Sequence, residues 1–165
     1  MISKYMNAEI IIRNFNSTDK SDVIDLWNIC GLIVPGNNPE KDIELKMKFQ
    51  PQLFFVAELY GKVTGTSMTG YDGHRGWINY LGVHPEFRGI GSGRLLVEFS
   101  ISKLKELGCP KLNIQVRNSN YGVIDFYKKL GFMEHEVTGL QIKLKILFFN
   151  SVFNTLIFIR RPITN

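Results

Sequence analysis

The sequence predicts an α/β domain built on a mixed, mostly antiparallel central sheet flanked by helices. Three observations lead there. Three strand-like runs between Gln52 and His84 are joined by the turn formers Tyr60-Gly61 and "DGHRG" at 72–76, which is the pattern of an antiparallel meander. A strand, a glycine-rich turn, a helix and a further strand follow between Trp77 and Val116, the alternation that packs helices on a sheet. The full order reads β-α-α-β-β-β-α-β-α-β plus C-terminal strand(s), and neither a repeat nor a linker divides it, so residues 1–165 are read as a single domain.

Each element has a local reason. "EIIIRNF" (9–15) is short and β-branched, hence a first strand. "NSTDK" supplies helix-start chemistry, and Val23, Leu26, Trp27 and Cys30 recur at helical spacing behind it. "GLIVPGNNPE" breaks that helix. Asn38 then serves as an N-cap with Pro39 at the first helical position, and Pro51 stops the second helix near Phe49. "QLFFVAEL", "KVTGTSMTGY" and "WINYLGVH" are the meander. Leu95–Leu107 lacks Gly and Pro and places Val97, Ile101 and Leu104 on one face, ended by Gly108 and Pro110. "KLNIQV" (111–116) is a strand, "NSNYGVIDFYKKLGF" a helix stopped at Gly131, and Phe132 onward a return to strand.

Composition narrows the class of function. Hydrophobic residues make up 44% and charged residues 21%, as in an ordinary globular protein, and the net charge is +5. That surplus suits an anionic ligand, yet no dense Lys/Arg run interleaves with aromatics, so a nucleic-acid partner is not expected. Cys30 and Cys109 form neither a C-x-x-C pair nor a metal-spaced cluster, so two reduced thiols and no metal site are expected. "MISKYMNAEIIIRNF" lacks the long apolar stretch of a signal peptide, which leads to the expectation of a cytoplasmic location.

The tail departs from the rest. No Asp or Glu occurs from Val137 to Asn165, and "ILFFNSVFNTLIFI" (146–159) is almost wholly apolar. It falls short of the roughly 20 apolar residues of a membrane span. Two readings stand: a pair of closing strands turning near Asn150-Ser151, or a homodimer contact through 146–159, because such a run must be covered.

The chemistry centres on "HPEFRGIGSGRLL" (84–96), with glycines at 89, 91 and 93. A Walker loop needs Lys-Ser/Thr after its last glycine, and Arg94 stands there instead. A dinucleotide fingerprint needs a third glycine where Arg94 lies and an acid at the end of the next strand, and "KLNIQV" has none. What remains is R-x-x-G-x-G between a strand and a helix. Unpaired N–H groups at a helix start, glycines that let the backbone approach, and Arg88 and Arg94 together suit a pyrophosphate; a turn shaped by glycine alone is the plainer alternative.

"LGVHPEFRGIGSGRLL" resembles the acyl-CoA-binding motif of the GNAT superfamily of N-acetyltransferases, V-x-P-x-x-R/Q-x-x-G-x-G/A, through Val83, Pro85, Arg88, Gly91 and Gly93. "NSNYGVIDFYKKLGF" is similar to the family's N-x-x-A-x-x-F-Y-x-K-x-G-F through Asn120, Phe126, Tyr127, Lys129, Gly131 and Phe132, with Gly122 and Val123 near the usual alanine. "GYDGHRG…YLGVHPEFRG" also resembles small bacterial acetyltransferases of the YpeA type. The likeness spans about Glu9 to Glu136 and leaves out the tail after Lys145.

The resemblance implies a GNAT-like sheet, acetyl-CoA as cofactor, and transfer of its acetyl group to a primary amine by direct attack while both substrates are bound. It implies a splay between "WINYLGV" and "KLNIQV" that admits coenzyme A. Backbone groups of Leu81 and Val83 would pair with the pantetheine arm, and Gly82 would ease that approach. Backbone N–H groups of Arg88, Gly89, Ile90, Gly91, Ser92, Gly93 and Arg94 would hold the pyrophosphate, and Asn120 would hydrogen-bond the cofactor. Tyr127 would touch the cofactor as the general acid that protonates the leaving thiolate.

Many members place a Glu on the strand before the motif, but "WINYLGVH" has none. Tyr80 and His74 are the candidate bases, with Asp72 and His84 nearby, unless the amine arrives already deprotonated. Trp27, Asn37 and Asn38 are the expected acceptor contacts. The acceptor is an amine on a small molecule or a protein. The competing reading is a non-catalytic acyl-CoA-binding or sensing module that self-associates through its tail.

Overall fold

The computed structural model describes residues 9–142 and 144. Its elements are β1 (Ile11–Asn14), α1 (Lys20–Ile29), α2 (Pro39–Phe49), β2 (Phe54–Leu59), β3 (Lys62–Tyr71), β4 (Gly76–Val83), α3 (Ser92–Glu106), β5 (Leu112–Asn113) and α4 (Tyr121–Lys129). They form one sheet in the order β1-β2-β3-β4-β5. The first three pairings are antiparallel and the β4–β5 pairing is parallel. This is the mixed, mostly antiparallel sheet that the sequence predicts.

Residues 9–132 belong to one compact unit and the described residues from 133 onward to a second. In the second, the described residues 133–142 and 144 carry no strand, so the return to strand expected from Phe132 is not seen among them. The apolar run 146–159, on which the closing strands and the dimer contact were expected, lies outside the described residues.

Helix starts follow the expected cap chemistry. Asn38 accepts a hydrogen bond from the Lys41 N–H, and Pro39 opens α2. Asn16 and Asp19 form a capping box ahead of α1. Asp19 then takes both terminal nitrogens of Arg13 at 2.7 and 2.9 Å, while Arg13 Nε reaches Glu58 at 2.7 Å. This fork ties β1 to the start of α1 and to β2, and it holds the Asp19 carboxyl below the usual carboxylate range.

The central strand β2 is buried on both faces. Phe54 and Val56 pack with Phe15, Val23, Leu26 and Trp27 on the α1 side. Phe55 and Ala57 pack with Leu96 and Leu104 of α3 on the other. A third cluster joins Ile78, Val97 and Tyr127, so α4 closes over the start of β4. Burial of large side chains on both faces supplies the driving force for this layered arrangement.

Two irregularities of the sheet prepare the site. β4 and β5 pair only at Gly76–Leu112 and Trp77–Asn113. "KLNIQV" was expected to be strand over its whole length; instead the chain leaves the ladder after Asn113, and from Ile78 on β4 has β3 on one edge and no described strand on the other. In addition, Tyr80 and Leu81 of β4 face the single residue Ser67, a bulge at which Tyr80 adopts φ +49°.

Candidate functional site

The opening beside β4 ends at the glycine turn. A short 3-10 turn (Pro85–Phe87) carries the chain from β4 to Arg88, and α3 then begins at Ser92. Gly89 and Gly91 stand at φ +81° and +101°, where an L side chain is strained, and the place of a Cβ on either is open space. No acidic residue occupies the first turn of α3, and its N-cap makes no side-chain bond. The first N–H groups of a 15-residue helix therefore face an open notch with their dipole uncompensated.

Ser92 adds an independent sign. It is 1% exposed, and its hydroxyl has no hydrogen-bond partner among the described residues. Buried hydroxyls are almost always paired, so an orphan at this position fits a ligand oxygen as the missing partner. Gly93 does something different: a Cβ there would stand 3.4 Å from the Phe126 ring and 3.6 Å from Val83. Its small size lets the start of α3 close on α4 and β4.

The remaining cofactor candidates fall around this notch in unequal ways. Arg88 does not project from the turn. Its Nε donates to the Val83 carbonyl at 3.0 Å, and its guanidinium lies 4.0 Å from the Cys30 sulfur. The Val83 carbonyl is thereby engaged, also by the Cys30 thiol at 3.4 Å. Ile90 is partly buried in the turn, and Arg94 sits exposed on α3 at 3.7 Å from Glu98. Leu81 and Val83 pack their side chains toward α3. Asn120 is exposed at the N-cap of α4 and makes no capping bond, which leaves its amide available. Gly82 does not face the opening: a Cβ on it would meet Leu32 at 2.8 Å and Cys30 and Leu26 at 3.4 Å, so it makes room for α1 and the loop after it.

Tyr127 is 6% exposed and packs edge-to-face against Phe126 and Phe132. Burial pushes its phenol up to about 12. It shares a cluster with Ile78, the residue at which β4 parts from β5. A phenol that keeps its proton through the neutral range stands where the opening begins.

On the opposite face of the sheet, a groove runs between α2 and the middle of β3 and β4. Tyr80 stands at its centre. Its ring stacks on Trp27 at 3.9 Å. The Trp27 Nε1–H donates to the Thr66 hydroxyl at 2.9 Å, and that hydroxyl donates to the Tyr80 carbonyl at 2.8 Å. The Tyr80 hydroxyl donates to Asp42 at 2.6 Å and accepts from Asn37 at 3.2 Å. A tyrosine held at positive φ by so many contacts is backbone strain kept in place by its surroundings, which is typical of functional positions.

This network corrects two expectations. Trp27 is fully buried, so it supports Tyr80 from beneath and presents no surface to an acceptor. Asn38 spends its side-chain oxygen on the α2 cap. Asn37 does reach the groove. Tyr80 is a poor base: burial first, then its bond to Asp42, push the phenol up to about 12. His74 is exposed in the β3–β4 turn, where Asp72 accepts the N–H groups of His74 and Arg75 at 2.7 and 2.6 Å. That places it six residues from Tyr80, roughly 20 Å along an extended strand. His84 accepts the Glu86 N–H at 3.3 Å. Asp72 and His84 therefore shape turns.

Sequence reasoning missed Asp42 and Lys46. Both line the groove. The available signal was the apolar face that α2 leaves outward, with Leu45 41% and Phe49 78% exposed beside them. Among the described residues there is no group of side chains fit to hold a metal ion, no helix long and apolar enough to cross a membrane, and both cysteines are free.

Comparison with known proteins agrees with this geometry. The profile of the Acetyltransferase (GNAT) family matches residues 21–132. An acetyltransferase of Yersinia enterocolitica is 51% identical over 121 residues, covering 73% of this chain and 86% of that protein. Among solved structures, Ard1 from Thermoplasma volcanium superposes with a TM-score of 0.65 at 26% identity, covering 75% of this chain and 82% of that one. An aminoglycoside N-acetyltransferase solved in complex with CoA superposes with a TM-score of 0.69 at 19% identity, covering 83% and 96%, a likeness of fold.

Proposed function

The chain belongs to the GNAT acetyltransferase family, and from that premise we propose that it transfers the acetyl group of acetyl-CoA to the nitrogen of an amine entering through the groove beside Tyr80. The observation that carries this reading is the parting of β4 from β5 at Ile78, which leaves an edge of β4 unpaired from there to the strand's end, where the chain enters the glycine turn at the start of α3. Bound acetyl-CoA supplies an acyl group already activated as a thioester.

The chain's own residues divide the work. The N–H groups of the turn from Gly89 to Arg94 hold the pyrophosphate, with the Ser92 hydroxyl as a further donor; the Arg88 N–H, expected among them, is instead given to the Pro85 carbonyl at 3.3 Å. The free edge of β4 at Leu81 and Val83 takes the extended arm as an added strand would. Because Arg88 and Cys30 already occupy the Val83 carbonyl, the Val83 contribution rests on its N–H unless Arg88 swings away. Asn120 offers its uncommitted amide from the start of α4.

Tyr127 gives its proton to the leaving sulfur. A thiol ordinarily has pKa about 8.5, so transfer from a phenol is uphill in isolation and is driven by carbon–sulfur cleavage. Burial helps by keeping the phenol protonated at every working pH. Tyr80 orients the acceptor, rigid between Trp27 and Asp42.

The test is thiol release from acetyl-CoA with a panel of amines: an N-terminally blocked lysine peptide, a peptide with a free N-terminus, and a polyamine. Turnover with one of them, and a product heavier by one acetyl group, is expected. Tight CoA binding with no turnover on any amine would favour the non-catalytic binding module.

A further inference from the structure

The GNAT reading leaves one step without an owner. An acceptor amine is an ammonium at neutral pH and must lose a proton before it attacks, yet β4 carries no Glu and Tyr80 holds its own proton. The acceptor groove contains a group suited to the task. Lys46, on the last turn of α2, reaches under the groove and donates its ammonium to the Thr69 carbonyl of β3.

The surroundings of Lys46 are unusual for a lysine. Asp42 lies four residues back on the same helix, the spacing at which such pairs commonly join. They do not join here. Asp42 spends an oxygen on the Tyr80 hydroxyl, Lys46 turns to the backbone of β3, and no ion pair links them among the described residues. The other acids of α2, Glu40 and Glu44, stand near Lys20 at 3.8 and 3.7 Å. Leu45, Phe49 and Met68 make the neighbouring groove wall apolar. The titratable groups that line the groove with Lys46 are therefore Asp42, from its own helix, and Tyr80, from β4; β3 presents Met68 and the Thr69 carbonyl.

We propose that Lys46 is the general base of this enzyme, the group that takes the proton from the acceptor's ammonium in the groove. This rests on the acetyl-transfer reading. Desolvation without a paired carboxylate lowers the Lys46 ammonium to about 8, so a useful fraction is neutral near physiological pH. A neutral lysine keeps one N–H on Thr69 and has a lone pair left to accept. The proton count closes. One proton of the acceptor ammonium passes to Lys46 and on through the open groove to water. The nitrogen–carbon bond forms as the carbon–sulfur bond breaks. The sulfur takes the Tyr127 proton, and the second proton lost by the nitrogen restores the phenol.

Two acceptors and two variants test this. The first acceptor is the fastest amine of the panel above. The second is hydroxylamine, which is already deprotonated at neutral pH and needs no base; its uncatalysed reaction is subtracted. Lys46→Met is expected to slow transfer to the amine about 100-fold and to change transfer to hydroxylamine by less than about threefold. Lys46→Arg keeps the charge and a donor for Thr69 but does not deprotonate, so it should lose as much as Lys46→Met. In the wild type, kcat for the amine should rise with pH through about 8, and this limb should vanish in both variants.

Equal losses with both acceptors would reveal a structural role and overturn the proposal. So would a wild-type rate in Lys46→Arg, or no loss in Lys46→Met. Calorimetric CoA binding, measured on every form, separates the two layers. Wild-type protein that binds CoA and transfers to neither acceptor overturns the transferase reading, and the base with it. Normal wild-type transfer with an indifferent Lys46 overturns the base alone.

Discussion

The turn after β4 and the groove against its middle are built from different materials. The turn is a continuous stretch, Val83 to Arg94, that offers backbone N–H groups, two glycines at positive φ and the start of α3. The groove is assembled from side chains of α2, β3, β4 and the loop before α2, carried by residues as far apart as Asn37 and Tyr80. A backbone site presents the same donors whatever side chains decorate it, so it suits a cofactor that does not vary. A side-chain site can be rewritten one residue at a time, so it suits the acceptor.

That contrast can be broken by variants that should act on one end only. The largest effect is expected at Tyr127, packed on Ile78 where β4 parts from β5. Tyr127→Phe should lower kcat about 100-fold and leave CoA affinity unchanged. Because burial holds the phenol up to about 12, the wild-type profile should show no falling limb between about pH 8 and 10 that Tyr127→Phe removes. An equal loss of CoA affinity and kcat would make Tyr127 a packing residue.

Next comes Gly91→Ala. The space is open, so the penalty is conformational: about 1–2 kcal/mol to hold an L residue near this φ, or about tenfold in CoA affinity, with the acceptor KM unchanged. A matching change in acceptor KM would erase the distinction between the two ends. The smallest effect is expected from Tyr80→Phe, which keeps the stack on Trp27 and removes only the hydroxyl between Asp42 and Asn37. Loss of about 1 kcal/mol of hydrogen bonding should raise the acceptor KM about fivefold and leave CoA titrations unaltered.

The same contrast explains what could be read before the fold was known. The glycine turn, the Asn38-Pro39 helix start and the three-stranded meander are local: neighbours in sequence are neighbours in space, and spacing alone specifies them. The splay was legible only by resemblance. Nothing in "KLNIQV" says that pairing ends after Asn113, because that end is set by where α4 packs on Ile78. Trp27 was placed on the correct helix and assigned the wrong job. Helical spacing puts it on the apolar face, but only the tertiary stack reveals that Tyr80 covers it.

Lys46 was invisible for the same reason. In sequence it is one more lysine on a surface helix. Its character comes from a β3 carbonyl more than twenty residues away and from an Asp42 already engaged by β4. Gly82 shows the reverse failure: read as room for the cofactor arm, it is room for Leu32 and α1.

The most direct measurement is an amide ¹⁵N–¹H titration of the protein with coenzyme A alone. The account predicts shifts concentrated on the N–H groups of Gly89, Ile90, Gly91, Ser92, Gly93 and Arg94 and on Leu81 and Val83, with Asn37, Asp42 and Lys46 little changed. Shifts centred on the groove residues, with the glycine turn silent, would contradict it.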